Sequence, residues 1–313
     1  MRNVTIVLIV SLAAALFFLP MASAQKLNLE LGKEPGLEVP EVTPGPGWKT
    51  CVRCENPEHV KANREKYKVE GHPFDPHDFS GVWDSDPKNN PPHPGGILLD
   101  FKTLPPLTPL GKELWEATQA VQTKPEIPPM NGGEGSKDPM LHCDPLGFPR
   151  SFTYNYGFEF GYMPNRVIQF FEWGNWHRVI WTDGRKLPEN PPEPRWYGYN
   201  VGRWEGDTFV IESNGFEGSS WLDQDRRNLQ RGMPHSDEMR VVERWKRTSY
   251  ETLEVELTII DPKIYTAPWT TRGKNQLRPA AEMWEYLCVP TFSEQYNREL
   301  TAGQHDDTPA GKK

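Results

Sequence analysis

Residues 218–245 read GSSWLDQDRRNLQRGMPHSDEMRVVERW and place Trp221, Asp223, His235, Ser236, Asp237 and Glu238 within one polar stretch. A histidine beside a carboxylate can act as a general base. Ser236 or Ser220 could then serve as the nucleophile. Asp223 and Asp237 could instead work as a carboxylate pair, which cleaves a glycosidic bond when the two groups stand about 5–9.5 Å apart. The candidate catalytic set is therefore His235, Asp237 and Asp223, and the reaction a hydrolysis. No Gly-x-Ser-x-Gly elbow accompanies it. The same residue types also close turns, with Ser236 or Asp237 capping and His235 bonding a carbonyl.

Two further clusters suit binding rather than catalysis. WHRVIWTDGRKLP sets His177, Asp183 and Arg185 near one hairpin end, and GRWEGD adds Arg203, Trp204, Glu205 and Asp207. An arginine in such a turn can hold an anionic group through two parallel N–H bonds. Trp83 and Trp221 complete a candidate ligand-binding set of Trp83, His177, Asp183, Arg185, Arg203, Trp204 and Trp221. The chain has 12 tryptophans, and flat side chains in that number suit sheet faces and binding clefts. Glu243, Arg244, Lys246 and Arg247 are read as cross-strand charge partners of Glu254 and Glu256.

Metal and cofactor signals are weak. The eight histidines are dispersed, with no His-x-His or His-Glu-x-x-His, and the reading calls for no metal and no cofactor. The four cysteines are Cys51, Cys54, Cys143 and Cys288. In an oxidising compartment an even count reads as disulfides. The favoured pairing is Cys51–Cys54 as a local clip and Cys143–Cys288 as a long staple. For Cys51-x-x-Cys54, zinc binding with His59, His72 or His77 and redox chemistry stand as alternatives. Haem attachment is excluded, because Glu55 follows the second cysteine.

The elements that must position these groups are mostly strands. In 252–260, Leu253, Val255, Leu257 and Ile259 alternate with Glu254, Glu256 and Thr258, the period of a half-buried strand. Hairpins are expected around Gly174-Asn175, around Glu205-Gly206-Asp207 and between 237–248 and 252–260. A short strand is expected at FSGVW and another at GGILLDFK. Thr108 and Pro109 open a helix pattern over LTPLGKELWEATQAV, and residues 55–70 suit a short charged helix. AEMWEYLCVP closes the body. The fold class is mainly β: an antiparallel meander, barrel-like or sandwich-like, with one or two short helices.

Met1-Arg2-Asn3, the apolar run Val4–Leu19 and Ala22-Ser23-Ala24 have the layout of a secretory signal peptide. The expected organisation is a signal peptide over 1–24 and a Pro/Gly-rich arm with the Cys-x-x-Cys over 25–70. A β-rich domain over 71–292 and a polar tail over 293–313 complete it. The mature chain is expected to be periplasmic or secreted, with no membrane span after cleavage. The formal net charge of −8 argues against phosphate-neutralising contacts with nucleic acid.

FSGVW and GRWEGDTFVIE resemble the Gly-x-Trp starts of lipocalin-like barrels. That resemblance implies a tryptophan plug at one end and an apolar ligand at the other. Read from the residues alone, Gly81 and Gly202 relieve crowding beside an indole. FSGVW, PPLTPLG, CDPLGFPR, TDGRKLP, VGRWEGDTFVI, WLD, PHSDEMRVVERW and DPKIYTAPW together resemble a large group of uncharacterised secreted bacterial proteins. That resemblance supplies no activity.

Three functions are compatible with this sequence. The leading one is a ligand-binding protein, with a Trp- and Tyr-lined pocket for an apolar or carbohydrate-like small molecule. The second is a periplasmic hydrolase using His235 with Asp223 or Asp237. The third is a cell-envelope interaction module that meets its partner through a Trp-rich face.

Overall fold

The computed structural model describes residues 57–85, 104–121, 135–152, 156–225, 230–279 and 281–290. The expected signal peptide, Cys51, Cys54, the run GGILLDFK and the polar tail lie outside these residues. The described residues open with helix α1 (Pro57–Lys66) and strand β1 (Val82–Ser85), and helix α2 (Pro109–Ala117) follows. Strands β2 (Phe158–Met163), β3 (Arg166–Phe171), β4 (Trp176–Trp181), β5 (Tyr199–Glu205) and β6 (Thr208–Asn214) come next. A two-stranded ribbon, β7 (Trp221–Gln224) with β8 (Gly232–Pro234), precedes β9 (Arg240–Ser249), β10 (Thr252–Ile260) and β11 (Trp269–Arg278).

Nine of these strands close a barrel in the order β1-β11-β10-β9-β6-β5-β4-β3-β2. The architecture is therefore a barrel, not a sandwich. The three expected hairpins are present as β3–β4, β5–β6 and β9–β10. Gly174 and Asn175 both have positive φ, which the first turn requires. Thr108 caps α2 by accepting from the Gly111 amide at 3.0 Å. Residues 281–290 form no strand. Their link to the barrel is a bridge between Trp173 and Tyr286, the Trp284 amide on Glu172 and the Cys143–Cys288 disulfide. That disulfide spans 145 residues, a separation to which the chain-entropy model assigns about 5 kcal/mol.

Side chains fill the barrel. Phe158, Phe160, Phe171, Ile180, Phe209, Ile211, Trp245, Leu253, Val255 and Leu257 form one buried cluster. Both ends are closed. At one, Phe79 packs on Phe160, Trp204 and Phe209, and the Trp83 indole donates to the Phe79 carbonyl at 2.8 Å. The Arg247 guanidinium lies 5.3 Å from the Trp83 ring and donates to the Asp78 and Tyr250 carbonyls. At the other end Leu146, Phe148, Phe152, Phe216, Leu222 and Met233 complete the core. A Cβ on Gly202 would stand 2.5 Å from Phe209 and 2.8 Å from Ile180, so this glycine makes room for the core.

Inside this apolar barrel sits an ion pair. Arg178 and Glu243 are fully buried and doubly bonded, Nη1 to Oε1 at 2.8 Å and Nη2 to Oε2 at 2.6 Å. Arg178 Nε donates to Gln169 at 2.8 Å, and the Trp245 indole donates to Glu243 at 2.9 Å. The guanidinium also lies 3.9 Å from the centre of the Phe148 ring. The expected surface ladder is thus half right. Arg244 and Lys246 stand outside, opposite Glu256 and Glu254, but Glu243 and Arg247 alternate to the inner face. The outer glutamates bond the next strand instead, Glu256 to Arg272 at 2.5 Å and Glu254 to Lys274 at 2.8 Å. Among the described residues no helix is long and apolar enough to cross a membrane.

Removing one partner of a buried pair strands the other charge, at a cost of about 3–5 kcal/mol. Arg178→Met and Glu243→Leu should each lose that amount in urea unfolding, and the double variant should be more stable than either single one. Additive losses would show that the two side chains are not coupled.

Candidate functional site

In a closed ring of strands the number of antiparallel contacts must be even. Nine strands therefore cannot all be antiparallel neighbours. Here the odd contact is β4 with β5, which are parallel and share two residue pairs, Ile180 with Asn200 and Trp181 with Val201. A parallel connection needs a crossover of a dozen or so residues, and residues 182–198 supply it. Pro188, Pro191, Pro192 and Pro194 have no N–H to give a ladder, and the bridge that the crossover makes, Arg195 with Phe216, is not to β4.

Between β4 and the crossover lies a cleft of about 760 Å³, within the range of small-molecule sites. Its aromatic lining is Trp176, Trp181, Trp196, Tyr197 and Tyr199, and its polar lining includes His177, Arg185, Lys186, Glu193 and Arg195. The strand pleat explains the division. Arg178 and Ile180 turn into the barrel, while His177, Val179 and Trp181 face the other way.

The rim is held in place. Asp183 accepts from Arg185 Nε at 2.9 Å and Nη2 at 2.6 Å, and from the Arg185 amide at 3.2 Å. Hydrogen bonding to Arg185 holds the Asp183 carboxyl below its ordinary pKa, and the carboxylate in turn raises that of Arg185. The Arg185 guanidinium lies 3.6 Å from the Trp181 ring centre. Arg195 repeats the arrangement, bonding Glu193 through Nε and Nη2 and lying 4.0 Å from the Tyr199 ring centre. Its backbone is fixed by bonds to Gly215 and Glu217.

Of the expected ligand-binding set, His177 and Arg185 line this cleft, and Asp183 orients Arg185. Trp83 is fully buried beneath Arg247. Trp204 packs on Phe79 and Phe209 at the end of the barrel. Trp221 is buried against Gly232 and Arg150. Arg203 lies on the outer surface, paired with Glu205 and Glu212. Sequence reasoning missed Trp176, Trp181, Trp196, Lys186, Arg195 and Tyr199. Their signal was the proline-rich gap between two strands that cannot be joined as a hairpin.

The expected catalytic residues do not gather around an opening. Asp237 is exposed, and Lys263 bonds it at 2.9 Å and lowers its pKa. Asp223 is buried and accepts from the Gln224 amide. His235 is buried and meets Ser220: Nε2 lies 2.8 Å from the hydroxyl and Nδ1 3.2 Å from the Ser236 carbonyl. A carbonyl only accepts, so in the neutral ring Nδ1 carries the proton and Nε2 accepts from Ser220. Asp261 braces the turn through the Ser236 amide and hydroxyl at 2.6 and 2.7 Å. This is the polarity of a serine–base couple, but attack requires an accessible hydroxyl, and Ser220 is 3% exposed. As placed, the couple ties the start of β7 to the turn after β8.

Of the histidines expected beside the Cys-x-x-Cys, His72 packs against Tyr250 with ring centres 4.1 Å apart, and His77 bonds the Gly206 carbonyl at 3.0 Å; the His59 side chain lies outside those described. Among the described residues no group of three or more His, Cys, Asp or Glu side chains is arranged to hold a metal ion. No protein-family model, curated protein or solved structure matches the chain.

Burial pushes His235 below its usual pKa of 6.5, outweighing the Ser236 carbonyl, Asp261 and Glu217. The unfolded chain then binds a proton that the folded chain refuses. Stability is fully present above the unfolded value and falls as pH drops from it toward the lowered folded value. The thermal midpoint should decline as pH falls through the unfolded value of about 6.5, and His235→Gln should flatten that decline. Asp183 and Asp237, depressed from 3.8, act only at lower pH. An unchanged slope in the variant would remove His235 as its source.

Proposed function

We propose that this is an exported ligand-binding protein and that the β4–β5 cleft takes an apolar or carbohydrate-like small molecule. The observation that carries this reading is the placement of open space. The barrel interior is filled and both ends are closed, yet an aromatic-lined cleft of about 760 Å³ stands at the parallel seam. Flat rings with a few fixed polar groups at the rim are the usual composition of such sites. The reading moves the expected ligand from the lumen to the wall. Export is supported by the layout of residues 1–24 and by the Cys143–Cys288 disulfide, which belongs in an oxidising compartment. The Gly-x-Trp motifs support packing rather than ligand capture, because Trp83 and Trp204 are both engaged by core neighbours.

The test is tryptophan fluorescence of the mature protein titrated with neutral probes, N-phenyl-1-naphthylamine and cellotriose. Binding of at least one is expected. Trp176→Ala should weaken it by about tenfold, the loss of about 1.4 kcal/mol expected for one stacking ring. Trp204→Phe, at the far end, should leave affinity unchanged. Equal affinity in the Trp176→Ala variant, with its fold intact by circular dichroism, would move the site elsewhere.

A further inference from the structure

We infer that the ligand of this cleft carries a carboxylate on a ring, with the acid group held by Arg185, Lys186 and Arg195. The inference rests on the reading of the cleft as a binding site and specifies what it selects. The chain is acidic overall, at −8, yet the cleft lining carries Arg178, Arg185, Lys186 and Arg195 against Glu193, with Asp183 bonded to Arg185 beside it. Arg178 is locked from behind by Glu243. Arg185 and Arg195 each have one carboxylate partner at the rim, which leaves the Lys186 ammonium and the uncommitted N–H groups of the two guanidiniums for a ligand.

The geometry of the two rim arginines is the main argument. Asp183 and Glu193 both engage their arginine through the Nε–Nη2 edge. Among the described residues neither Nη1 has an acceptor, so each guanidinium keeps one donating corner while its plane is fixed. Lys186 is exposed and has no ion pair among the described residues. Two free N–H corners and an ammonium on the lining of one cleft are the donors this inference assigns to the carboxylate, and charge-assisted bonds of this kind are the strong ones.

The same stacking argues against a purely apolar ligand. At 3.6 and 4.0 Å the guanidinium planes cover faces of Trp181 and Tyr199. A ligand entering there meets cations, not bare rings. Trp176, 37% exposed, and Trp196 remain to take a ring body. The site therefore has two parts: a flat apolar surface and a carboxylate cradle. An acidic sugar and an aromatic acid share this chemistry.

The experiment is calorimetric titration of the mature protein with four probes: tri-galacturonate, neutral galactotriose, 2-naphthoate and 2-naphthylmethanol. Each is run at low and high salt. The acid of one pair, sugar or aromatic, should bind about tenfold tighter than its neutral counterpart, as expected for hydrogen bonds to a charged group. That gap should shrink at high salt and close in Arg185→Gln/Arg195→Gln. Which pair shows the gap identifies the source of the carboxylate. Equal binding of acid and neutral forms, still weakened by Trp176→Ala, would overturn the carboxylate inference and leave the cleft in place. An acid preference that survives the double arginine variant would also overturn it. Binding that is indifferent to Trp176→Ala would overturn the cleft reading and this inference with it, as would no binding by any probe.

Discussion

A guanidinium and a carboxylate sheltered from water sit at the centre of the barrel, and much of the structure is arranged around them. Arg178 and Glu243 are both at zero side-chain exposure, doubly bonded to each other. Desolvating two charges costs several kcal/mol per ion, repaid only when geometry is good and the remaining donors and acceptors are satisfied. Gln169 on β3, Asn200 on β5 and Trp245 on β9 supply those partners, and Phe148 from the end cap lies against the guanidinium face. One cluster therefore joins four strands and a cap. A strand sliding by one residue would turn its member of the cluster to the outside and strand the rest. The pair fixes register more convincingly than it adds stability.

That role matters where the ladder is thin, as it is at β4–β5 and at β1–β2, each joined by two residue pairs. The parallel contact of β4 and β5 has two residue pairs, too few to hold a seam by backbone bonds alone. Arg178 lies on β4 and Asn200 on β5, and both belong to the buried network. Asn200 also donates to the Val179 carbonyl across the seam at 3.3 Å. Side chains thus close from within what the backbone leaves open from without. The gap persists as a cleft because the crossover is rich in proline and cannot pair with β4 to fill it.

These relations explain which parts of the molecule were legible in sequence. The β9–β10 hairpin was legible because its inward residues alternate and are mostly apolar, with Leu253, Val255, Leu257 and Ile259 all buried. β11 was not, since WTTRGKNQLR reads as polar and hides Thr271 and Asn275 as well as Trp269 and Leu277. Glu243 and Arg247 looked like surface charges because the residue type outweighed the period, although the alternation with Val241 and Trp245 was present. His177, Asp183 and Arg185 could be grouped in sequence because they flank a turn, and the structure places His177 and Arg185 on one cleft with Asp183 bonded to Arg185. Trp83, Trp204 and Trp221 looked the same as cleft tryptophans, because an indole serves core and platform equally well. Nothing local in the chain says that the strand count is odd; the count demands a parallel contact, and the long crossover of 182–198 places it, and the cleft, between β4 and β5.

The two roles of β4 therefore meet in single residues and separate by face. Its inward side chains, Arg178 and Ile180, belong to the core, and its outward ones, His177, Val179 and Trp181, line the cleft. Arg178 contributes to the cleft only as a neutralised back wall, locked by Glu243. A wall built on a locked strand has little freedom left to lose on binding, and less of the interaction energy goes to ordering it. The rim follows the same logic, with each arginine fixed by an acid two residues away and by an aromatic ring beneath it. Preorganisation at the wall comes from the core, and preorganisation at the rim comes from its own sequence. Changes at Arg185 or Arg195 should therefore alter binding without disturbing the fold, whereas changes at Arg178 would disturb both.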